Sequence, residues 1–590
     1  VFLWTLLTFL PILRNGFVNW DDFRMFIDNE GHKGPWEGRF WAAWTSHRLG
    51  EYMPVTWMTY AIDQSIWQDH AEGYHLTSLL LHAATAITVL ALARRLLRLA
   101  LGPGPEGSAG LWGGAMVAAL AFAVHPLRVE PVAWASARGT VVGGLLLVLS
   151  VFVYVDGWER GRATGGVRRP WLVGSLGLFA ASLLARATGL VLPLVVVVLD
   201  VYPLRRFGGS AGWFGPENRR AWAEKLWFGI LGVLTVPMAY LARGDQLEDI
   251  WRFAYDPEIG VTWAVYSIAF YLWKLIIPGD LSPIYRMPDA DDWMLGSVLF
   301  GLGVVLGLTA AALSVRKRWP GILTGWVVYL ILIAPLSGIL PAGRLRGVAD
   351  RYTYVACLSF AIVVGGAATL VWRAYRTGRL RRLRAEAIGA AILLVLVSWS
   401  VLSWQQTYVW RSGIELWGWA ALVSDDSPVV ENNLGWALAR AGDFDRAEIH
   451  VRRAIDSWPN NPVVLRTLGR ILGAQHRYEE AGETLLRAVE IAPRWGDLRT
   501  DLGSVLYESG ATGRAVAHLE RAVKLAPREP RSHEFLGRAL AKAGRREESE
   551  LHLRRAASLS NRPWPPDGAP SDGVLPSEPP LGPPAGAFRP

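Results

Sequence analysis

Asn19-Trp20-Asp21-Asp22 sets two carboxylates side by side just beyond the first apolar segment of the chain. Adjacent acids can divide roles, one taking a proton from a hydroxyl nucleophile while the other orients it or holds an acceptor. The neighbours Trp20 and Phe23 are hydrophobic, so the pair is expected at a membrane rim, facing water, where a substrate presented at that surface would give it a use. The competing assignment is a loop turn or a cap for a surface helix. Asp21 and Asp22 are therefore the candidate catalytic residues. No histidine cluster accompanies them, so no metal ligand is assigned and no cofactor is certain. A divalent cation (Mg or Mn) held between carboxylate and phosphate is the one addition left open.

The elements that must position such a pair are legible in the hydropathy. The chain of 590 residues is 52% hydrophobic and only 19% charged, with a mean hydropathy of +0.23. Up to about residue 410 the apolar residues fall in blocks near the ~20 residues that cross a bilayer. Spans are expected at 1–13, 76–97, 111–126, 139–156, 171–186, 187–202, 225–242, 260–277, 293–314, 321–341, 353–373 and 387–408. Many of the 30 tryptophans sit at block ends, as interfacial anchoring favours. The chain opens at Val1 inside an apolar segment, so preceding residues are expected.

The net charge of +9 does not point to nucleic acid, because the basic residues gather in short connections. Arg94/Arg95/Arg98, Arg160/Arg162/Arg168/Arg169, Arg205/Arg206, Arg316/Lys317/Arg318 and the run from Arg376 to Arg384 follow the positive-inside pattern of cytoplasmic loops. By alternation the long loop 14–75, the stretches 127–138 and 342–352, and everything after about 410 are non-cytoplasmic, periplasmic if the membrane is a bacterial inner membrane. One parity conflict remains: 203–224 and 315–320 are both basic, yet three apolar segments separate them. One of those three must be re-entrant, split or non-spanning. The single Cys357 lies in an apolar run, which leaves no disulfide framework.

From 428 to 561 the period changes to a fixed 34 residues. Leu434-Gly435, Leu468-Gly469, Leu502-Gly503 and Leu536-Gly537 recur in register, as do Ala447, Ala481, Ala515 and Ser549. Pro459, Pro493 and Pro527 mark the turn into the next unit. This is the tetratricopeptide pattern in four copies. Residues 411–427 connect it to the membrane domain 1–410. The segment 562–590, with ten prolines, is expected to be disordered. The fold class is all-α: a polytopic membrane domain followed by an α-solenoid.

Several blocks carry a family resemblance: Phe17-Val18-Asn19-Trp20-Asp21-Asp22, Tyr52-Met53-Pro54-Val55-Thr56, Gly73-Tyr74-His75-Leu76-Thr77, Leu81-His82, the stretch His125 to Trp134, Leu184-Ala185-Arg186-Ala187, and Ala349 to Val355. In these the first 410 residues resemble a polytopic glycosyltransferase of the GT-C superfamily. The whole chain is similar to the transmembrane-and-tetratricopeptide-repeat O-mannosyltransferases, as a bacterial relative. It departs from them at Arg186-Ala187, where relatives often carry Lys-Glu, and near Met53, where they carry His or Arg; donor and sugar preference stay open there. The resemblance implies a polyisoprenyl-phosphate-linked sugar as donor and a hydroxyl acceptor, often Ser or Thr of a translocated protein. It also implies a catalytic base at Asp21 and Asp22, and direct displacement with inversion at the anomeric carbon.

That chemistry makes further demands. A phosphate leaving group calls for a fixed cation. Arg351, beside Asp350 and Tyr352, is the first choice, with a structural Arg–Asp pair as the alternative. Arg128 and Arg186 are further candidates for the donor phosphate, together with Tyr352. Arg186 would be costly in hydrocarbon and is expected to face the protein interior or a head group. Tyr52, His75, His82, His125 and Glu130 are supporting candidates, the histidines being equally readable as packed core residues. The repeats are expected to bind the acceptor polypeptide or another protein, or to serve in dimerisation. Glycosylation of a lipid or cell-envelope glycan, and a noncatalytic scaffold recruiting proteins through the repeats, are the competing functions.

Overall fold

The computed structural model describes residues 1–27, 35–45, 51–104, 108–207, 212–243, 257–285, 292–338, 347–424 and 427–560. All of its regular structure there is helical. The chain divides into two compact units, Val1–Val18 with Gly31–Ser412, and Asn19–Glu30 with Gly413–Pro590.

Among the described residues of the first unit, five helices are long and apolar enough to cross a membrane: Ala71–Leu101, Ala135–Gly161, Gly296–Ser314, Leu358–Arg376 and Arg382–Val409. Shorter apolar helices, including Arg169–Ala185, Ala187–Val201 and Pro320–Leu336, fill the remaining blocks. Helices cover all three segments of the parity conflict: Arg219–Arg243, Pro257–Ile276 and Asp292–Ser314. The first of these contains Pro237, which removes one helical hydrogen bond.

One detail departs from the hydropathy reading. The block at 111–126 ends as a helix at Ala123, then bends by 60° into Pro126–Ala133, so part of the supposed loop 127–138 is helix. Pro126 forces this by terminating the preceding backbone ladder. The long loop 14–75, whose Pro and Gly breaks and scattered Trp suggest short helices, holds the helices Trp36–Thr45 and Pro54–Trp67, and the helix that follows begins at Ala71.

Close helix approach depends on small residues, as expected where helices pack without a hydrophobic driving force. A Cβ placed on Gly114 would lie 2.3 Å from the Gly365 carbonyl oxygen, and one on Gly365 would lie 2.4 Å from that of Gly114. Helices Ala109–Ala123 and Leu358–Arg376 therefore cross backbone to backbone. At the opposite end of the bundle from Arg138, the parallel helices Ala71–Leu101 and Arg138–Gly161 are tied by ion pairs. Arg95 meets Asp156 at 2.6 Å and Glu159 at 2.8 Å, and Arg98 meets Glu159 at 2.5 Å.

The second unit contains four helix pairs, from Pro428–Arg440 with Phe444–Ser457 to Pro530–Lys542 with Arg546–Leu559. The repeated glycine has a direct cause. A Cβ on Gly435 would meet Val451 at 2.4 Å, and on Gly469, Gly503 and Gly537 it would meet Leu485, Leu519 and Leu553 at 2.5, 2.5 and 2.6 Å. Each helix pair closes by seating a branched apolar side chain on bare backbone. The expected disorder of 562–590 lies outside the described residues.

Candidate active site

Asp21 and Asp22 belong to the second unit. Their segment is anchored there by Asn19, whose amide donates to the Asn433 carbonyl at 3.0 Å and accepts from the Trp417 indole N–H at 3.0 Å. Trp20 meets the Trp417 ring edge-on at 5.0 Å, Phe23 meets Trp436 at 5.8 Å, and the Arg440 guanidinium lies 4.3 Å above Phe23. The pair is not water-facing as a whole: Asp22 is fully buried and Asp21 only partly exposed. The aromatic neighbours that suggested a membrane rim pack onto the helices at the start of the second unit instead.

In the first unit the bend after Ala123 gathers a second cluster. His125 starts it by accepting from the Leu127 N–H at its Nδ1 (3.2 Å) and donating from Nε2 to the Leu275 carbonyl (3.0 Å). The short helix that follows carries Glu130, 2% exposed. Glu130 accepts the backbone N–H of Arg351 at 2.8 Å and pairs with its guanidinium. Arg351 lies between two rings, with Trp134 5.3 Å and Tyr352 5.1 Å from its guanidinium carbon. The partner of Arg351 is thus Glu130 and not the adjacent Asp350. Asp350 instead accepts from the Tyr285 hydroxyl at 2.7 Å. Burial, and then the Glu130 charge, push the Asp350 carboxyl above its ordinary range.

Arg128, 1% exposed, donates to Thr353 at 3.2 Å and packs against Phe122 and Tyr354. Its Nε and Nη1 have no hydrogen-bond partner within the described residues. His82 bridges the same layer, its ring nitrogens lying 2.9 Å from the Tyr354 hydroxyl and 3.0 Å from the Ala123 carbonyl. Arg128, Glu130, Arg351, Tyr352, His82 and His125 therefore form one contiguous neighbourhood. The remaining candidates have other surroundings. His75 lies 3.4 Å from the Gly16 carbonyl, and the Tyr52 hydroxyl donates to the Trp44 carbonyl at 3.1 Å. Arg186 follows the helix Arg169–Ala185 in extended backbone, with its Cβ against the Gly143 position.

Two buried groups escaped the sequence reading. Tyr285 and Lys274 flank Asp350, and nothing in their local pattern signals it. Arg138 pairs with Asp63 at 2.5 Å, both side chains almost wholly enclosed, and donates to Ser78 and the Tyr74 carbonyl. An arginine opening an apolar block was a visible signal for that pair. Among the described residues no group of three or more His, Cys, Asp or Glu side chains is gathered as metal ligands would be.

Membrane-length helices followed by a repeat solenoid define an integral membrane protein with a tetratricopeptide-type repeat unit. A tetratricopeptide-repeat profile matches residues 432–494 and 500–567. The Protein O-mannosyl-transferase Tmtc3 of Drosophila melanogaster is 25% identical over 471 residues, 70% of this chain and 48% of its own length. The Protein O-mannosyl-transferase TMTC1 of Homo sapiens is 23% identical over 467 residues, 72% of this chain and 50% of its own. Over most of its length the chain is thus similar to these O-mannosyl-transferases. The chain spans about half the length of the curated relatives it matches. Among solved structures, MamA from Desulfovibrio magneticus RS-1 aligns with 25% of this chain and 84% of its own at 22% identity, with a TM-score of 0.24.

Proposed function

We infer that the chain is a membrane glycosyltransferase moving a sugar from a polyisoprenyl-phosphate-linked donor to an acceptor hydroxyl, Ser or Thr of a translocated polypeptide, with inversion at the anomeric carbon. The observation that carries this reading is the likeness to O-mannosyl-transferases over 70% of the chain. The repeats could not supply a share that large, so the likeness extends well into the membrane unit.

In this reading Asp22 is the base. An alcohol is a poor nucleophile, so the carboxylate takes its proton as the new C–O bond forms and the bond to the phosphate oxygen breaks. Asp21, more open to water, orients the acceptor. Within the first unit, Arg351 is the cation suited to a phosphate that gains negative charge as it departs; Glu130 and the two nearby rings hold that guanidinium in one place. Arg128, buried in the same neighbourhood, adds a second positive charge there. Reaction and repeats lie on the periplasmic side of a bacterial inner membrane, where the repeats collect the acceptor.

The test is purified full-length protein incubated with a panel of polyisoprenyl-phosphate sugars and an unfolded acceptor polypeptide. Sugar becomes covalently bound to the polypeptide, and Asp22→Asn lowers the rate by about 10²–10⁴. Sugar found only on lipid or glycan acceptors would shift the acceptor class. Transfer undiminished in Asp22→Asn would remove Asp22 as the base, and no transfer from any donor would favour the scaffold.

A further inference from the structure

A cavity of about 640 Å³ runs along the first unit between the helices Ala71–Leu101, Arg138–Gly161, Leu192–Val201, Pro320–Ile333 and Leu358–Arg376. This is within the range of ligand-sized pockets. Its walls are aliphatic, and no carboxylate lines it. On the helix Leu358–Arg376 the lining runs from Leu358 to Leu370, about 18 Å at ~1.5 Å per residue. A hydrocarbon core is about 30 Å thick, so the cavity has roughly the depth of one leaflet and not of the whole bilayer.

One end is chemically distinct. Arg205, Lys317 and Arg318 line it there, all three exposed. None forms an ion pair or a side-chain hydrogen bond among the described residues. Three such cations in register with an apolar slot stand apart from Arg95, Arg138, Arg206 and Arg351 of the same unit, which pair with carboxylates. Both basic connections, 203–224 and 315–320, are ones that the positive-inside rule assigns to the cytoplasm. Basic pockets between membrane helices on that side are suited to anionic lipid head groups.

We propose that this cavity binds an anionic glycerophospholipid of the cytoplasmic leaflet, its acyl chains between the five helices and its phosphate on Arg205, Lys317 and Arg318. The leaflet-deep length and the cationic mouth select this occupant over a neutral lipid, which has nothing to gain from the three charges. They also select it over a polyisoprenyl chain, which would outrun an 18 Å slot. The site does not depend on the chain's transferring sugar. Its cationic mouth lies toward the end of the helix Leu358–Arg376 that is remote from Arg351.

The full-length protein is reconstituted in nanodiscs of phosphatidylglycerol and phosphatidylcholine, extracted gently, and its retained lipid identified by mass spectrometry. Phosphatidylglycerol is expected to be retained at least about five-fold over its share of the bilayer. The triple variant Arg205→Gln, Lys317→Gln, Arg318→Gln should abolish that preference. Ala367→Trp, which fills the slot from a small exposed position and leaves the charges intact, should lower retention of both lipids. Thermal unfolding provides an independent measure on the unaltered protein, where phosphatidylglycerol should raise the midpoint more than phosphatidylcholine. Equal retention of the two lipids in the unaltered protein, insensitivity to both variants, or recovery of polyisoprenyl phosphate as the occupant would overturn the proposal.

Discussion

Glu130→Gln is the substitution that best isolates how Arg351 is held. Glu130 makes two bonds, to the Arg351 backbone N–H at 2.8 Å and to its guanidinium, from a side chain 2% exposed. Breaking a fully buried pair costs about 3–5 kcal/mol, but that figure is too high here. The Arg351 side chain is 18% exposed, and glutamine keeps one carbonyl acceptor. What is lost is the difference between charged and neutral hydrogen bonds, about 1 kcal/mol for each of two, or about 2 kcal/mol in all. If that loosening reaches the donor phosphate undiminished, transfer falls about 30-fold. The assay is kcat/KM for sugar transfer in the unaltered protein, Glu130→Gln, Arg351→Gln and the double variant. Two residues acting as one unit should show a coupling of at least about 1 kcal/mol. Effects that add to within about 0.3 kcal/mol would refute the claim that Glu130 works through Arg351.

Other expectations follow from burial and packing. The raised pKa of Asp350 makes its contribution to stability complete below the ordinary carboxylate range and progressively lost as pH rises through its elevated value, about 1.4 kcal/mol per unit of displacement. Asp350→Asn, which retains an acceptor for Tyr285, should flatten that decline, between the ordinary carboxylate range and about pH 8, in the unfolding midpoint of the first unit. Asp501 in the repeats behaves oppositely. Burial pushes it up, but Arg466, Arg470 and Arg531 outweigh that and hold it well below its usual range, so its contribution is lost only as pH falls. In the same solenoid Gly503→Ala should destabilise by about 1–3 kcal/mol, because the new methyl meets Leu519. Gly482→Ala, where nothing lies within 4 Å, should stabilise by about 0.5–1 kcal/mol. A matched fall for both in thermal melting would contradict this account of the repeated glycine.

The solenoid was legible in the sequence because its constraint is local. A helix seated on the glycine sixteen residues earlier imposes a fixed register, and four copies display it. The membrane helices were legible because hydrocarbon tolerates few charges, so apolar blocks stand out whatever they pack against. The surroundings of the acid pair were not legible. Asn19 finds Trp417 at a separation of 398 residues, and Glu130 finds Arg351 at 221. No periodicity encodes such partners. The residues around Asp22 looked like an interfacial belt since Trp and Phe serve equally at a bilayer surface and in a protein core. Composition cannot separate those uses.

The anchoring of Asn19 on Asn433 and Trp417 bears on how the C-terminal solenoid came to be kept. A shortened chain ending near Ser412 would strip that amide of both partners and leave the Trp20 and Phe23 rings without the indoles they rest on. Loss of the repeats would then disturb the N-terminal acid segment as well as any docking surface. An ancestor that acquired this attachment could no longer discard its tail gradually, and the two portions would have been inherited together.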